Sequence, residues 1–370
     1  MRIFILLLVL LITGCASKPN QLFGVDNPKK PAAEVAGTVK QTVYLATSRQ
    51  QDENPEVLFS GERNLEGPSF AKVDVYIPPD RELGRDARPS RLPPDPEKDF
   101  VILNPVVFPD EAAFKADLDR TLSQLPPEER QTMLFVHGFN TDVAGAVLLG
   151  ARISHDSGFA GVPVVFSWAS RGKLFEYVYD LNSSLIARDD LLETATVVAT
   201  TKTTGINVVA HSMGNFLTVE AMRQNRLLNR FDHSGKLRTI VLASPDIDAD
   251  VFAKQLAPFS VPERNFYVLI SANDRALAAS RRIAGGVDRV GDEQPSDLEK
   301  LGVTVIDLTK IEDTSSLNHT KFADSPEIVQ LLGNRLNAGD SFGTRPNLLQ
   351  TAPAAATVLT GSAGNVVIFD

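Results

Sequence analysis

The sequence predicts an α/β protein with a mostly parallel central sheet and helices on both of its faces. Two observations lead to this prediction. Short, nearly continuous apolar runs at 132–140, 162–168 and 205–212 are typical of strands whose two faces are both buried. Segments with helical spacing separate these runs, which is the alternation expected of βαβ units in a parallel sheet.

The first third of the chain contributes shorter elements. Alternating apolar and polar residues predict strands at 41–49 and 71–78, and a third strand is predicted at 100–108. Proline and charged residues crowd the stretch 78–99, which predicts a loop or a disordered insertion. A helix is predicted over 110–125, because its apolar residues share one face and acidic residues occupy its first turn.

The remaining elements alternate regularly. Besides the three apolar runs, the predicted strands are 237–246, 264–274 and 303–309, and the predicted helices are 143–158, 187–200 and 213–228. We therefore expect one domain over 40–335. Small residues dominate the tail at 336–370, so we expect it to be loosely ordered, apart from a candidate strand at 365–370.

Composition argues against several classes of function. The 370-residue chain has a formal net charge of −9, and no basic groove is indicated, so nucleic acid is not an expected partner. No zinc signature, phosphate-binding loop or dinucleotide fingerprint is present in the sequence. The acidic run at 246–250 lacks the glycine and glutamate that a calcium-binding loop requires. We therefore expect neither a cofactor nor a metal.

The N-terminus has the pattern of a signal peptide, expected over 1–14. Arg2 precedes an apolar stretch at 3–12 that is short for a bilayer span, and Leu-Ile-Thr-Gly-Cys follows. This ending resembles the bacterial lipobox, in which the cysteine is lipidated and becomes the new N-terminus. We expect a lipid anchor on Cys15, a flexible tether over 15–39, and a location at the periplasmic face of the outer membrane. The alternative is a plain secretory signal with an incidental cysteine.

The stretch VVAHSMGNF (208–216) contains the main candidate for a nucleophile. It places Ser212 between a predicted strand and a predicted helix, which is the context of a Gly-x-Ser-x-Gly nucleophile elbow. Gly214 matches the second glycine of that motif, whereas Ala210 replaces the first and adds one methyl group. A serine hydroxyl also needs an adjacent base before it can act as a nucleophile.

The candidate base and acid follow Ser212 along the chain. Of the five histidines, His319 is the one that follows the last core strand. In α/β hydrolases the chain order is serine, acid, histidine. Asp274 ends the predicted strand 264–274 and is the favoured acid, which would hold the tautomer of the imidazole. Asp246 and Asp248 end the preceding strand, and Asp246 remains open as an alternative acid.

Two backbone amides are candidates for an oxyanion hole, which stabilises the negative charge of a tetrahedral intermediate. One is the amide of Met213, directly after the predicted nucleophile. The other is the amide of Phe139, in the turn that follows the strand 132–140. In this turn Gly138 permits a tight backbone, and His137 completes the motif. Because both turns follow parallel strands, we expect them to meet at one edge of the sheet.

Several motifs together resemble one bacterial family. They are YLATSR (44–49), LFVHGFN (134–140), VVFSWASRG (164–172), VVAHSMGN (208–215), LASPDID (242–248) and SANDRALAASR (271–281). As a set they are similar to the α/β hydrolases catalogued as domain of unknown function 900, over roughly 40–335. The resemblance implies an α/β-hydrolase fold with Ser212 as nucleophile, Asp274 as acid and His319 as base. It also implies that Ala210 belongs to the family's own pattern, and it implies no physiological substrate.

The function expected from these residues is that of a serine hydrolase, with a carboxylesterase acting on a small to medium ester as the favoured activity. A thioesterase or amidase would use the same three residues. A different class, a non-catalytic envelope interaction protein that keeps the hydrolase fold, is the further alternative. The stretch 170–185 is the expected rim of the site, with Phe175, Tyr177 and Tyr179 as candidate lining residues.

Overall fold

The structure, a computed structural model, describes residues 18–86, 88–312, 317–338, 356–360 and 363–369. The expected signal peptide and the expected lipid anchor on Cys15 lie outside these residues. In this part of the chain, no helix combines the length and the apolar character needed to span a bilayer.

A large sheet forms the centre of the fold. The described strands are β1 (Val39–Thr47), β2 (Arg49–Gln51), β3 (Phe59–Arg63), β4 (Ser69–Ile77), β5 (Val101–Val107), β6 (Gln131–Val136), β7 (Val162–Ser167), β8 (Gly205–His211), β9 (Leu237–Ala243), β10 (Phe266–Ile270), β11 (Thr304–Asp307), β12 (Ala356–Thr360) and β13 (Asn365–Phe369). One 11-stranded sheet has the order β12-β13-β11-β10-β9-β8-β6-β7-β1-β4-β5, and β2 pairs with β3 separately. Pairing is parallel from β13 through to β1 and antiparallel at both edges. The predicted mostly parallel sheet is confirmed.

Helices cover both faces of this sheet. The described helices are α1 (Glu111–Gln124), α2 (Val143–Asp156), α3 (Tyr177–Ile186), α4 (Arg188–Ala199), α5 (Met213–Leu227), α6 (Ala249–Leu256), α7 (Arg275–Ile283), α8 (Pro295–Lys300), α9 (Lys321–Asp324) and α10 (Pro326–Asn337). Helices α2, α9 and α10 bury apolar residues in one core layer, and α1, α4, α5 and α6 do so in the other. The sheet is therefore the middle layer of a three-layer fold, with helices packed on both of its faces.

Strand β8 shows why its sequence is apolar almost throughout. Val209 packs in the layer that contains α2, whereas Val208 and Ala210 pack in the layer that contains α5. Successive side chains of a strand point to opposite faces, so a strand covered on both sides must be apolar at every position. Because β8 is packed on both faces, the position of Ser212, which directly follows it, is fixed as well.

The segment expected to be a flexible tether is packed from Leu22 onward. Leu22 and Phe23 are buried in the core layer that contains α2, and Phe23 forms a β-bridge with Ile102. A short 3-10 helix at Ala32–Glu34 follows, with Ala32 buried. Burial of these two adjacent apolar residues removes apolar surface from water and so stabilises the docked segment.

The tail also differs from the expectation of loose order. Strand β13 pairs in parallel with β11 and buries Val366, Val367 and Phe369, and β12 pairs with β13 at the edge of the sheet. The candidate strand at 365–370 is therefore present, and the sheet extends beyond the expected boundary at 335. Residues 339–355 lie outside the described part of the chain.

Candidate active site

Ser212 lies in a sharp turn between β8 and α5. Its backbone has φ of 54° and ψ of −125°, a conformation that a residue with a side chain adopts only under strain. The turn is held from below, since the Ser212 amide donates to the Ala243 carbonyl at 3.0 Å and the Ser212 carbonyl accepts from the Asp246 amide at 3.2 Å. The serine is mostly buried, with 5% of its surface exposed.

Two glycines allow the turn after β6 to press against this elbow. A Cβ atom on Gly214 would lie 2.3 Å from the His137 carbonyl oxygen, which is closer than atoms can approach. A Cβ atom on Gly138 would lie 2.7 Å from the Cβ of Ser212. Because both positions exclude any side chain, the two turns approach each other backbone to backbone.

Asp274 and His319 are in direct contact. The Asp274 side chain is fully buried, and its Oδ2 lies 2.7 Å from His319 Nδ1. A carboxylate can only accept, so Nδ1 carries the proton, and a neutral His319 has an unprotonated Nε2. Asp274 is fixed in turn as the N-cap of α7, where Oδ1 accepts from the amides of Ala276 and Leu277, both at 3.0 Å.

The alternative acid, Asp246, has other partners. Its Oδ1 accepts from Ser280 Oγ at 2.6 Å and lies 3.4 Å from Arg289 Nε, and its Oδ2 accepts from Tyr177 Oη at 3.2 Å. Asp248 caps α6 through the amides of Asp250 and Val251. The structure therefore brings His319 to Asp274, and Asp246 forms part of a separate polar cluster.

His211 supports the position of His319. Its ring centroid lies 4.7 Å from that of His319, and its Nε2 lies 3.3 Å from the His319 carbonyl oxygen. Burial, and next the neighbouring His319, hold the pKa of His211 well below its usual range. A neutral His211 donates from Nε2 to that carbonyl, and Ser244 Oγ donates to the same oxygen at 3.2 Å.

His137 has a structural role in the turn after β6. Its ring stacks on Trp168 at 5.0 Å, and Trp168 Nε1 donates to the His137 carbonyl at 2.8 Å. Its own Nδ1 lies 2.8 Å from the Gly138 carbonyl oxygen. Burial, and next the Arg49 guanidinium, lower the pKa of His137 to about 3. A histidine that stays neutral at physiological pH and is fully buried stabilises this turn and is not suited to proton transfer with a substrate.

The amides of Phe139 and Met213 are both available as donors. Within the described part of the protein, neither has a hydrogen-bond acceptor. Met213 is the first residue of α5, where helix geometry leaves the amide unpaired and the helix dipole favours negative charge. The Phe139 ring packs edge-on against Tyr177 at 5.2 Å, which borders the site on the α3 side.

Two charged residues that hold the turn after β6 were missed as site residues by sequence reasoning. Arg49 is 1% exposed and donates to Ser170 O at 2.7 Å, Thr141 O at 2.8 Å, Ser167 Oγ at 2.8 Å and Ser60 O at 3.1 Å. Asp180 is fully buried and accepts from the hydroxyl of Ser170 and the amides of Asn140 and Arg171. The signal for Arg49 was its charge at the end of an apolar strand, in the motif YLATSR.

The expected rim residues differ in exposure. Phe175 is 98% exposed, whereas Tyr177 is half-buried against Phe139. Burial, and next the Asp246 carboxylate, raise the pKa of Tyr177 to about 12. The Tyr179 ring lies beneath two guanidinium groups, those of Arg63 at 4.0 Å and Arg171 at 3.7 Å. The aromatic side of the site is therefore formed by Phe139 and Tyr177, with Phe175 in solvent.

An apolar cavity of about 280 Å³ lies elsewhere, between α4, α5 and the start of β8. Ile206, which lines it, is the second residue of β8, and Ser212 follows the last. Val208, the cavity-lining residue of β8 nearest to Ser212 in sequence, is four strand residues from it, or about 13 Å. This cavity is therefore not the substrate site expected beside Ser212.

Comparison with known proteins identifies the family. No curated protein sequence matches the chain. Among solved structures, a hyperthermophilic esterase from the archaeon Pyrobaculum calidifontis shares 14% identity over 82% of this chain and 84% of its own, with a TM-score of 0.38. A monoclinic crystal form of a Pyrobaculum calidifontis esterase gives 13% identity, 82% and 86% coverage and a TM-score of 0.37. Lipase B of Aspergillus fumigatus shares 11% identity over 58% of this chain and 64% of its own, with a TM-score of 0.30.

The family model described as "Alpha/beta hydrolase of unknown function (DUF900)" matches residues 110–335, which is more than half of the chain and includes every predicted catalytic position. The resemblance inferred from the sequence motifs is confirmed, and with it the expected fold. The chain belongs to the DUF900 family of α/β hydrolases.

Proposed function

We propose that this protein is a serine hydrolase that cleaves carboxylic esters, with Ser212 as nucleophile, His319 as general base and Asp274 as the acid that orients it. The observation that carries the proposal is the 2.7 Å contact between Asp274 Oδ2 and His319 Nδ1. This contact supports a defined tautomer of His319. The ring of His319 also lies beside that of His211, which directly precedes the strained Ser212 in the chain. A buried acid, a histidine and a serine in a strand-to-helix turn are the components of nucleophilic acyl transfer.

The mechanism follows from the hydrogen-bond directions. His319 Nε2 accepts the hydroxyl proton of Ser212 while the serine oxygen attacks the acyl carbon. Asp274 holds the proton on Nδ1 and stabilises the imidazolium that forms. The amides of Met213 and Phe139 donate to the oxyanion of the tetrahedral intermediate. The imidazolium then returns its proton to the leaving alkoxide as the ester bond breaks. Water then attacks the acyl-enzyme while His319 Nε2 takes its proton. The bond between the acyl carbon and Ser212 Oγ breaks, the imidazolium returns the proton to the serine oxygen, and the acid is released.

The proposal is tested with a fluorophosphonate probe and 4-nitrophenyl acetate. Wild-type protein should be labelled and should hydrolyse the ester. Ser212→Ala should lose labelling and reduce kcat by more than about 10³-fold, because no other group replaces the nucleophile. Its melting temperature should stay close to that of the wild type. Ser157→Ala is the matched control, since Ser157 is also buried but lies at the end of α2.

Two results would contradict the proposal. If folded wild-type protein is not labelled and does not cleave the ester, the alternative of a non-catalytic interaction protein is favoured. If Ser212→Ala retains wild-type turnover, the nucleophile lies elsewhere. A parallel panel of an ester, a thioester and an anilide with the same acetyl group separates an esterase from a thioesterase or an amidase.

We also propose that the protein is tethered to a membrane through a lipid on Cys15, at the periplasmic face of the outer membrane. The support is the lipobox-like sequence Leu-Ile-Thr-Gly-Cys that follows an apolar signal core. Radiolabelled palmitate should be incorporated into the wild type and not into Cys15→Ser. Equal incorporation into both would contradict the anchor.

A further inference from the structure

A cleft of about 420 Å³, lined mostly by polar and charged residues, includes residues that directly follow Phe139 and His319 in the chain. We infer that this cleft receives the alcohol portion of the substrate, and that this portion is polyhydroxylated, as in an ester of a sugar or another polyol. The inference rests on the proposed function. The volume of the cleft falls within the range of about 300–1,000 Å³ that is typical of small-molecule sites.

The position of the cleft links it to the reaction. Asn140 and Thr141, which line it, directly follow Phe139, whose amide is proposed to bind the oxyanion. Thr320, on another wall, directly follows His319. A leaving alcohol must lie near the histidine that protonates it, so a cleft that touches both segments is suitably placed for that group.

The described part of the loop at 78–99 contributes Asp86 and Arg88 to the cleft and is anchored by two ion pairs. Its Arg81 pairs with Asp156 at 3.0 Å, and both side chains are almost completely buried. Its Arg88 donates to both carboxylate oxygens of Asp142, the N-cap of α2, at 2.8 and 2.6 Å. This loop is the proline- and charge-rich stretch whose role the sequence left open. Because ion pairs attach it to α2, the cleft is formed before substrate arrives.

The charges of the cleft are largely balanced, which argues against a strongly anionic ligand. Arg88 pairs with Asp142, and Arg152 pairs with Asp324 at 2.9 Å. Asp86 also lines the cleft, where it pairs with Lys18. The lining therefore offers donors and acceptors side by side without a large excess of either charge.

A hydroxyl group suits such a lining because it both donates and accepts hydrogen bonds. Leu148 and Leu149 add an apolar surface against which the carbon skeleton of a sugar ring can pack. An alkyl chain in the same place would remove water from the charged groups without replacing their hydrogen bonds. The aromatic pair Phe139 and Tyr177, on the α3 side, is better suited to the acyl group.

The test compares three acetate esters that differ only in the alcohol: 4-nitrophenyl acetate, hexyl acetate and methyl 6-O-acetyl-glucoside. For the wild type we expect kcat/KM to be at least tenfold higher for the glucoside than for hexyl acetate. Leu149→Trp fills the cleft and should lower kcat/KM for the glucoside at least tenfold more than it lowers kcat/KM for either of the other two esters. Leu228→Trp is the matched control, since Leu228 is 53% exposed at the end of α5.

A second variant covers the case in which Leu149→Trp fails to fold. Asp86→Ala removes an exposed acceptor of the cleft and should raise KM for the glucoside several-fold with kcat unchanged. The inference is overturned if the wild type cleaves hexyl acetate as efficiently as the glucoside, or if the variants affect all three esters equally. If the wild type cleaves 4-nitrophenyl acetate but shows no preference, the inference alone fails. If it cleaves none of the three, the proposed function fails as well.

Discussion

Replacing Asp274 with asparagine changes one proton at the centre of the proposed catalytic set. The buried carboxylate accepts from the amides of Ala276 and Leu277 at Oδ1 and from His319 Nδ1 at Oδ2. Asparagine keeps one oxygen for the two amides, so its NH₂ group faces His319. Because that group donates, His319 Nδ1 must become the acceptor and the ring proton moves to Nε2. The histidine then has no free nitrogen to receive the serine proton.

The hydrogen bonds determine which tautomer forms, and the cost of the wrong tautomer is known from serine proteases. A wrong tautomer of this kind costs about 10⁴-fold in kcat in a serine protease, which corresponds to about 5.5 kcal/mol in the activation barrier. Asparagine is about as good an N-cap as aspartate, so α7 keeps its cap. The loss in folding stability should therefore stay below about 2 kcal/mol. The combination of a large kinetic effect and a small thermodynamic effect distinguishes tautomer control from general disruption.

The assay is kcat for 4-nitrophenyl acetate together with urea unfolding. Asp246→Asn is the matched control, because Asp246 is also a buried carboxylate with a serine and a tyrosine as donors. We expect a much smaller loss of kcat in this control. If Asp246→Asn is as inactive as Asp274→Asn or more so, and both are folded, the acid belongs to the preceding strand and our reasoning is refuted.

Two further predictions concern the turn after β6. Arg49→Lys should lower kcat about 10²-fold with little change in KM. One ammonium group cannot replace a guanidinium that donates to four acceptors, so we expect the turn to shift. An unchanged kcat would exclude a positioning role for Arg49. His137 has its pKa lowered to about 3 in the folded state, so between pH 6.5 and 3 the unfolded chain binds more protons and stability falls with falling pH. From pH 6.5 to pH 5, this protonation should lower the unfolding free energy of the wild type by about 1.6 kcal/mol. His137→Gln lacks it, so its unfolding free energy, measured with urea, should fall by that much less; parallel pH profiles of the two proteins would contradict this.

The predicted strands that lie in the middle of the sheet correspond to β6, β7 and β8, because burial on both faces leaves a local apolar signal. The edge of the sheet carries a weaker signal. Strand β13 joins β11 across a long stretch of chain, and β12 is mostly exposed, so neither pairing can be inferred from local composition. Leu22 and Phe23 were assigned to a tether for the same reason, since what buries them is distant in sequence.

The candidate site likewise has residues that the sequence predicts and residues that only the structure reveals. Chain order, the place of Asp274 at the end of a predicted strand and the family resemblance led us to pair Asp274 with His319. Their side chains are in contact, and the catalytic roles themselves stay predictions. Sequence order contains no information on how far a side chain reaches across loops. Arg49 and Asp180 each bind backbone from separate loops, and this contribution becomes visible only when the loops are assembled.

The two small residues of the elbow are not equivalent, which explains why an imperfect motif is compatible with a well-formed turn. A Cβ atom on Gly214 would collide with the His137 carbonyl oxygen, so that position can hold only glycine without moving the turn after β6. Ala210 lies two residues before Ser212, and its methyl group packs in the apolar layer that contains α5. The methyl group therefore contributes to the core that supports the strand. A pattern that demands glycine at 210 would reject a serine whose geometry depends on the glycine at 214.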